Sequence, residues 1–361
     1  VRPARALLDW FDRHRRDLPW RRTRDPYLVW ISEIMLQQTR VETVIPYYER
    51  FIARFPAVED LARADLEEVL ALWSGLGYYR RGRQLHAAAR QVAETGRGFP
   101  STLEELRELP GIGDYTAAAV GSIAFGIAAP VMDGNVERVL SRWIALEEDP
   151  KGRGARQALF ATAAGLLDPE RPGDSNQALM ELGATICVPR RPRCLLCPIR
   201  EGCRAAAQGD PERFPVARPK RARERRLLTV AFAESEGRVL LFRRPEGSAL
   251  LAGTWELPWV EEKEEPEAAL AARYGGSWEV GPVLGEVRHS ITFRDLELEV
   301  RRARVRFAAG GRDGAERGWF GAEERGALPL SSLVGKVLRL AEGDRGEVSP
   351  ARPARRRGRP R

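Results

Sequence analysis

The sequence predicts a multidomain chain, with an all-α region reaching to about residue 208 and an α+β region after it. Three observations carry this. Through the first half, apolar residues recur at helical spacing and are punctuated by Pro and Gly. All four cysteines, Cys187, Cys194, Cys197 and Cys203, lie in one short segment that closes that half. Beyond Cys203 the composition turns first to Pro, Lys and Arg, and then to alternating β-branched and aromatic residues.

At 361 residues the chain can bury two ordinary cores. No apolar run is long enough for a bilayer span, and the start, with Arg2 and Arg5, lacks the apolar core of a signal peptide. A soluble protein with a cytoplasmic address and no membrane partner is expected. A net charge of +8 favours a polyanionic partner, nucleic acid first, although an Arg-rich composition also suits a plain solvated surface.

The first helix is read over Ala4 to Arg15, with Leu7, Leu8 and Phe11 inward, and Asp17-Leu-Pro-Trp-Arg-Arg breaks it. The next, Tyr27 to Thr39, is apolar on nearly every side except at Glu33. Val29, Trp30 and Leu36 share the face of that acid, so Glu33 is expected to be poorly solvated. Such an acid is either paired with an arginine or held near neutrality as a general acid. Tyr48, Phe51, Ile52 and Phe55 mark a third helix ending by Pro56, and Asp65 opens a fourth with Leu66, Val69, Leu70 and Trp73 inward. The latter stops at Gly75-Leu-Gly-Tyr-Tyr, followed by Arg80, Arg81 and Arg83. That run is either an ordinary turn with a basic helix start or a set of apolar wedges beside phosphate-binding charge.

Ser101 and Glu104 have capping-box spacing ahead of Leu103, Leu106 and Leu109, so a helix is expected to run into Pro110, and another opens at Asp114. Between them Gly111 and Gly113 allow a tight turn whose bare amides can approach a phosphate, a helix–hairpin–helix. Asp133 then heads the helix of Val136, Val139 and Leu140, where an aspartate serves first as an N-cap. Its nearness to the hairpin suggests a second, catalytic role. Helices over Arg156 to Leu167 and Ser175 to Leu182 lead into the cysteines, whose C-x6-C-x2-C-x5-C spacing suits one metal centre, either tetrahedral zinc or an iron–sulfur cubane.

Residues 209–226 read as a linker. Then come a hairpin of Leu228 to Glu234 and Val239 to Arg243, a helix from Pro266 to Ala272 and a strand from Leu296 to Phe307, within a domain assigned to 227–345. The Pro/Arg-rich tail, 346–361, is expected to be disordered and to attract nucleic acid without specificity.

Taken together, Leu-Pro-Trp-Arg at 18–21, Ser-Glu-Ile-Met-Leu-Gln-Gln-Thr at 32–39, Gly-Leu-Gly-Tyr-Tyr at 75–79, the hairpin, Met-Asp-Gly-Asn-Val at 132–136 and the cysteine spacing resemble the MutY-type adenine DNA glycosylases of the helix–hairpin–helix superfamily. The resemblance covers all but the tail. It implies a helical glycosylase domain over 1–208 with an iron–sulfur module, a 4Fe–4S cluster on Cys187, Cys194, Cys197 and Cys203, and a Nudix-like domain after it. It further implies excision of adenine opposite 8-oxoguanine or guanine from duplex DNA, in base excision repair, by a monomer that in a bacterium would be nucleoid-associated. Glu33 would protonate adenine N7 and Asp133 would stabilise or capture the sugar cation, with Tyr115 and Asn135 as neighbours. Arg21, Gln38 and Gln177 match positions near the flipped base, and Tyr78, Gly111 and Gly113 match DNA contacts. Strand-cutting relatives place a lysine where this chain has Tyr115, which implies a monofunctional enzyme. In the second domain Leu250-Leu-Ala-Gly-Thr-Trp-Glu-Leu-Pro is the clearest motif, and the helix that would need several glutamates for magnesium carries only Glu267. The lesion-reading loop of the family, His-x-Phe-Ser/Thr-His, is here His289-Ser-Ile-Thr-Phe293, which keeps the hydroxyl of Thr292 but loses one aromatic and one histidine. A noncatalytic iron–sulfur DNA-binding protein would explain the cluster, the hairpin and the charge, but not Glu33 together with Asp133.

Overall fold

A computed structural model describes residues 3–216, 222–245, 247–248, 251–291, 293–307, 316–326 and 328–343. The chain forms two compact units, Val1–Arg221 and Ala222–Arg361.

The first unit is helical: α1 (Pro3–His14), α2 (Pro26–Leu36), α3 (Val41–Arg54), α4 (Val58–Arg63), α5 (Leu66–Leu72), α6 (Arg80–Thr95), α7 (Leu103–Glu108), α8 (Asp114–Phe125), α9 (Gly134–Ile144), α10 (Arg153–Gly165), α11 (Pro172–Thr185) and α12 (Arg204–Ala207). Helix α2 starts where Asp25 caps Tyr27 and Leu28 and Pro26 fills the first helical position. It ends at Leu36, short of the Thr39 expected, because Gln37 leaves the helical region and Gln38 takes a left-handed φ of 59°. An aromatic core of Tyr48, Phe51, Phe55 and Trp73 holds α3 and α5 together. A second core joins α1, α8, α9, α10 and α11 through Leu7, Phe11, Ala119, Leu140, Leu159 and Leu179. The small buried face of α8, Ala117 to Ser122, lets α2 and α11 pack closely on it.

The cap of α7 corrects the sequence reading. It is Thr102, not Ser101, whose hydroxyl accepts from the Glu105 amide at 3.3 Å and donates to the Glu105 carboxylate at 2.9 Å, the same spacing one residue later. The helix stops at Glu108, since Pro110 forces Leu109 into an extended conformation.

The second unit is built on a mixed sheet of β1 (Glu224–Ser235), β2 (Arg238–Arg243), β3 (Trp255–Glu256), β4 (Trp259–Glu261), β5 (Ser277–Ile291), β6 (Arg294–Arg306) and β7 (Arg317–Phe320). The main order is β3-β2-β1-β6-β5; β4 also pairs with β1 and β7 with β2. Strands β1 and β6 are parallel, with Leu228 opposite Leu298 and Val230 opposite Val300. Helix α13 (Pro266–Tyr274) packs on one face and α15 (Ser332–Ala341) on the other, while α14 (Ala322–Gly326) follows β7. The alternation of β1 explains this, because Leu228, Val230 and Phe232 face α15 while Ala231 and Ala233 face the side of Leu270 and Tyr274. Strand β5, absent from the sequence reading, carries Gly281, Pro282 and Gly285, which break the alternation that marks its neighbours. Thr292, Leu250 and the tail from residue 344 lie outside the described residues.

Candidate active site and cysteine-lined cavity

A cavity of about 850 Å³ opens in the helical unit between α2, α8, the start of α9 and α11. Its lining includes Arg21, Glu33, Gln38, Gly111, Gly113, Tyr115, Asp133, Asn135 and Gln177. Thus the structure brings most of the residues singled out in sequence into one wall. Tyr78 stands apart from this lining, exposed and left-handed with a φ of 49°.

Glu33 sits on the buried face of α2 and accepts one hydrogen bond, 2.9 Å, from the Tyr115 hydroxyl of α8. That hydroxyl also lies 3.4 Å from Met180 Sδ. Burial dominates and pushes the Glu33 carboxyl up to about 7; the Tyr115 bond opposes this, and the charge of Asp133 adds to it. Asp133 is also raised by burial, but it has more donors to oppose the rise. As N-cap of α9 it accepts from the Val136 amide at 2.7 Å, and its other oxygen accepts from Asn135 Nδ2 at 2.9 Å. The N-cap role and a place in the cavity therefore coexist in one residue. Two carboxyls with unequal donor sets can divide the roles of proton carrier and fixed anion.

Residues that the sequence reading passed over hold this arrangement. Asn176, fully buried, donates to Ala129 O and Ser122 Oγ and accepts from the Val131 amide, fixing the strand of chain that delivers Asp133. Gly183 on α11 presses against Asn135, where a Cβ would stand 2.6 Å from the Asn135 Cβ and 3.0 Å from its carbonyl oxygen. Glu181 is buried between Arg16 and Arg21 at 2.7 and 2.8 Å. Burial is the largest influence on that carboxyl and raises it, but the two guanidinium groups together outweigh burial and hold it at about 2. Nothing local in the sequence marks Glu181, since its partners are 160 and 165 residues away.

At the hairpin, Gly111 has a φ of +81°, and a Cβ there would stand 2.8 Å from Gln84 Cβ. Gly113 caps α8, and the space where its side chain would project is open. The hairpin thus offers bare backbone at the start of a twelve-residue helix. The arginines after Tyr79 divide. Arg80 is exposed, but Arg81 is buried and bonds to protein carbonyls, so of the two readings left open for this run the phosphate-binding one does not extend to Arg81.

The four cysteines, free of disulfides, line one apolar cavity with Val139, Trp143, Leu182, Ile186 and Ile199. Among the described residues, no three His, Cys, Asp or Glu side chains group as ligands of a single metal ion. Arg142, fully buried, braces the loop by donating to the carbonyls of Cys187, Val188, Pro189 and Phe214. Arg138 links the same loop to the acid site, donating to Cys187 O at 2.8 Å and to Asn135 Oδ1 at 2.9 Å. The residues fit a sulfur-ligated cluster, with four soft donors around one apolar space.

A helical unit with a bare-backbone hairpin beside a carboxyl-lined cavity has the parts that a DNA glycosylase needs. Residues 31–161 match the HhH-GPD superfamily of base excision DNA repair proteins, and residues 229–340 match the NUDIX domain. The chain is 38% identical to the human adenine DNA glycosylase over 94% of its own length and 73% of that protein. It is 43% identical to the Arabidopsis thaliana adenine DNA glycosylase over 73% of its length, spanning about half (48%) of that relative. Among solved structures, a thermostable thymine-DNA glycosylase aligns with a TM-score of 0.53 and 32% identity, over 57% of this chain and 95% of that one. The chain belongs to the adenine DNA glycosylases.

Proposed function

We propose that this chain hydrolyses the N-glycosidic bond of adenine mispaired with 8-oxoguanine or guanine in duplex DNA, as a monofunctional glycosylase. The observation that carries this is Glu33, a buried carboxyl near pH 7 facing the same cavity as the better-hydrogen-bonded Asp133. The leaving base needs a proton and the sugar, as it becomes cationic, needs a fixed anion; Glu33 supplies the first and Asp133 the second. Tyr115 and Asn135 orient the two acids, and Arg21, Gln38 and Gln177 line the space for the flipped base. Gly111 and Gly113 receive a backbone phosphate, and Tyr78 presents an exposed ring to the bases.

Cys187, Cys194, Cys197 and Cys203 would hold a 4Fe–4S cluster. Once bound, it would supply iron–thiolate bonds that fix the loop bearing Arg190, Arg191 and Arg193, all exposed. The second unit reads 8-oxoguanine and performs no hydrolysis: Glu267, the lone glutamate of α13, accepts from the Val280 amide at 2.9 Å. His289 and Ile291 lie at the end of β5 and Phe293 just before β6, and the Thr292 hydroxyl, outside the described residues, is assigned to the lesion by the family resemblance. No described helix is long and apolar enough to cross a membrane, and a cytoplasmic monomer is proposed.

The test is incubation with duplexes carrying adenine opposite 8-oxoguanine, guanine or thymine, followed by alkali to reveal abasic sites. Alkali-dependent cleavage at adenine, strongest opposite 8-oxoguanine, is expected. Cleavage without alkali, or none at all, would refute a monofunctional adenine glycosylase.

A further inference from the structure

Among the described residues of the helical unit four non-glycines take a left-handed φ, and two of them, Gln38 after α2 and Tyr78 before α6, lie in turns that a single side chain holds. Both side chains are exposed, although Tyr78 is large and apolar. A left-handed conformation in a glutamine and a tyrosine persists only where the surroundings over-determine it, and such strain collects at functional positions.

What over-determines both turns is one buried side chain. Arg81 reaches from α6 between them with its two terminal nitrogens engaged separately. Nη1 donates to the carbonyls of Ile34, Met35 and Gln37 at 2.7, 3.0 and 2.5 Å. Nη2 donates to Thr39 Oγ1 at 3.2 Å and to the carbonyls of Leu76 and Gly77, each at 3.3 Å. One guanidinium therefore satisfies the end of α2 and the Gly75–Tyr78 turn together. The Arg81 guanidinium also lies 5.5 Å from the ring centres of Trp73 and Tyr78, and Trp73 Nε1 donates to Gly77 O at 3.1 Å. The planar fork is what allows this, because an ammonium at the same place is a single point and cannot serve two turns in fixed directions.

We infer that Arg81 is a positioning residue which joins the two turns, so that Gln38 and Tyr78 meet the duplex as one preassembled wedge and help to extrude the target base. This rests on the reading of the chain as a base-flipping glycosylase. Arg81 touches neither base nor sugar in this scheme. Its part is to remove the ordering that two independent loops would otherwise undergo during extrusion.

The test uses the full-length protein and two substrates: an intact duplex with adenine opposite guanine, and a strand in which the same adenine is already unpaired within a loop. Arg81→Lys keeps the charge and loses the fork. Its single-turnover excision from the duplex should fall about tenfold or more, as for a misplaced positioning group, while excision of the unpaired adenine stays near wild type. With 2-aminopurine beside the target, the fluorescence rise that reports extrusion should shrink in parallel. Tyr78→Ala should lose more on the duplex than on the unpaired adenine, and on the duplex the double variant should lose little more than either single one. Equal losses on both substrates, or additive losses in the double variant, would overturn the inference. Should Arg81→Lys not fold, Thr39→Val removes one acceptor of the fork and should show the same selectivity for duplex, more weakly; an unselective loss there, or none, would also overturn it. Wild-type protein inactive on both substrates would instead overturn the glycosylase reading.

Discussion

Two buried glutamates line the same cavity, and they differ in what surrounds their oxygens. Glu33 accepts a single bond from the neutral Tyr115 hydroxyl and has Asp133 for a neighbouring charge, so desolvation prevails and the carboxyl sits at about 7. Glu181 is likewise shielded from solvent, yet it accepts from the Arg16 and Arg21 guanidinium groups and from the Arg16 amide, and stays at about 2. Burial alone therefore does not make a general acid. The donor set decides, and a carboxyl left with one neutral donor carries a proton at neutral pH, whereas a carboxyl gripped by two cations cannot.

The largest way to break the contrast is Glu33→Gln. It keeps the shape and the Tyr115 contact but removes the transferable proton, so single-turnover excision should fall about 10²- to 10⁴-fold with duplex binding retained. Excision near the wild-type rate would show that the proton comes from elsewhere. Glu181→Gln acts on stability instead. It leaves Arg16 and Arg21 without their counter-charge, and because Arg16 is one-third exposed, 34%, the expected loss is at the lower end for a broken buried pair, about 3 kcal/mol. Denaturant melts check this, and a variant as stable as wild type would mean that the pair contributes nothing. The sign with pH follows from the lowered carboxyl: the stabilisation is complete above its ordinary value of 4.5 and is lost as pH falls toward about 2.

Gly183→Ala sharpens the comparison from the side of the second acid. The new methyl would stand 2.6 Å from Asn135 Cβ, displacing the side chain whose amide donates to Asp133. A shift of the fixed anion by a fraction of an ångström should slow the chemical step by about tenfold to a hundredfold, with DNA affinity unchanged. Equal loss of affinity and rate would place the effect in the fold at large.

How much of this was legible in the sequence follows the range of the interactions. Glu33 stands out because a lone acid interrupts an otherwise apolar helix, and Asp133 because it opens a helix beside a glycine hairpin. The cysteines announce themselves by spacing. Glu181 does not, since an acid within a helix reads as a solvated face until its arginines arrive from the distant N-terminal segment. Arg81 is not singled out, for the same reason: in a run of arginines nothing local separates the exposed Arg80 from the buried fork. Gly183 and Asn176 act through contacts with the 122–135 stretch, which no pattern within α11 reveals. In the second unit the alternating strands β1 and β6 are legible, whereas β5, with its register shifts between Val280 and Gly285, is not.

The smallest effect tests the contrast most directly, because it changes only the donor of Glu33. Wild-type excision should decline as pH rises through about 7, where Glu33 gives up its proton. Tyr115→Phe removes the one bond that favours the carboxylate, so the acid should hold its proton to higher pH and the alkaline limb should move upward. A hydrogen bond to a charged group is worth about 1.5–3 kcal/mol net, of which the protonated acid keeps part, so the shift should be about one pH unit. The rate on the plateau below the limb should change little. The shift has this sign only if the Tyr115 hydroxyl donates to Glu33 in the productive complex. If it instead donates to Met180 Sδ, 3.4 Å away, and accepts from protonated Glu33, it supports the acid form, and the limb would move downward on its loss. The direction of that limb in a pH profile of Tyr115→Phe thus decides which acceptor the single hydroxyl proton serves.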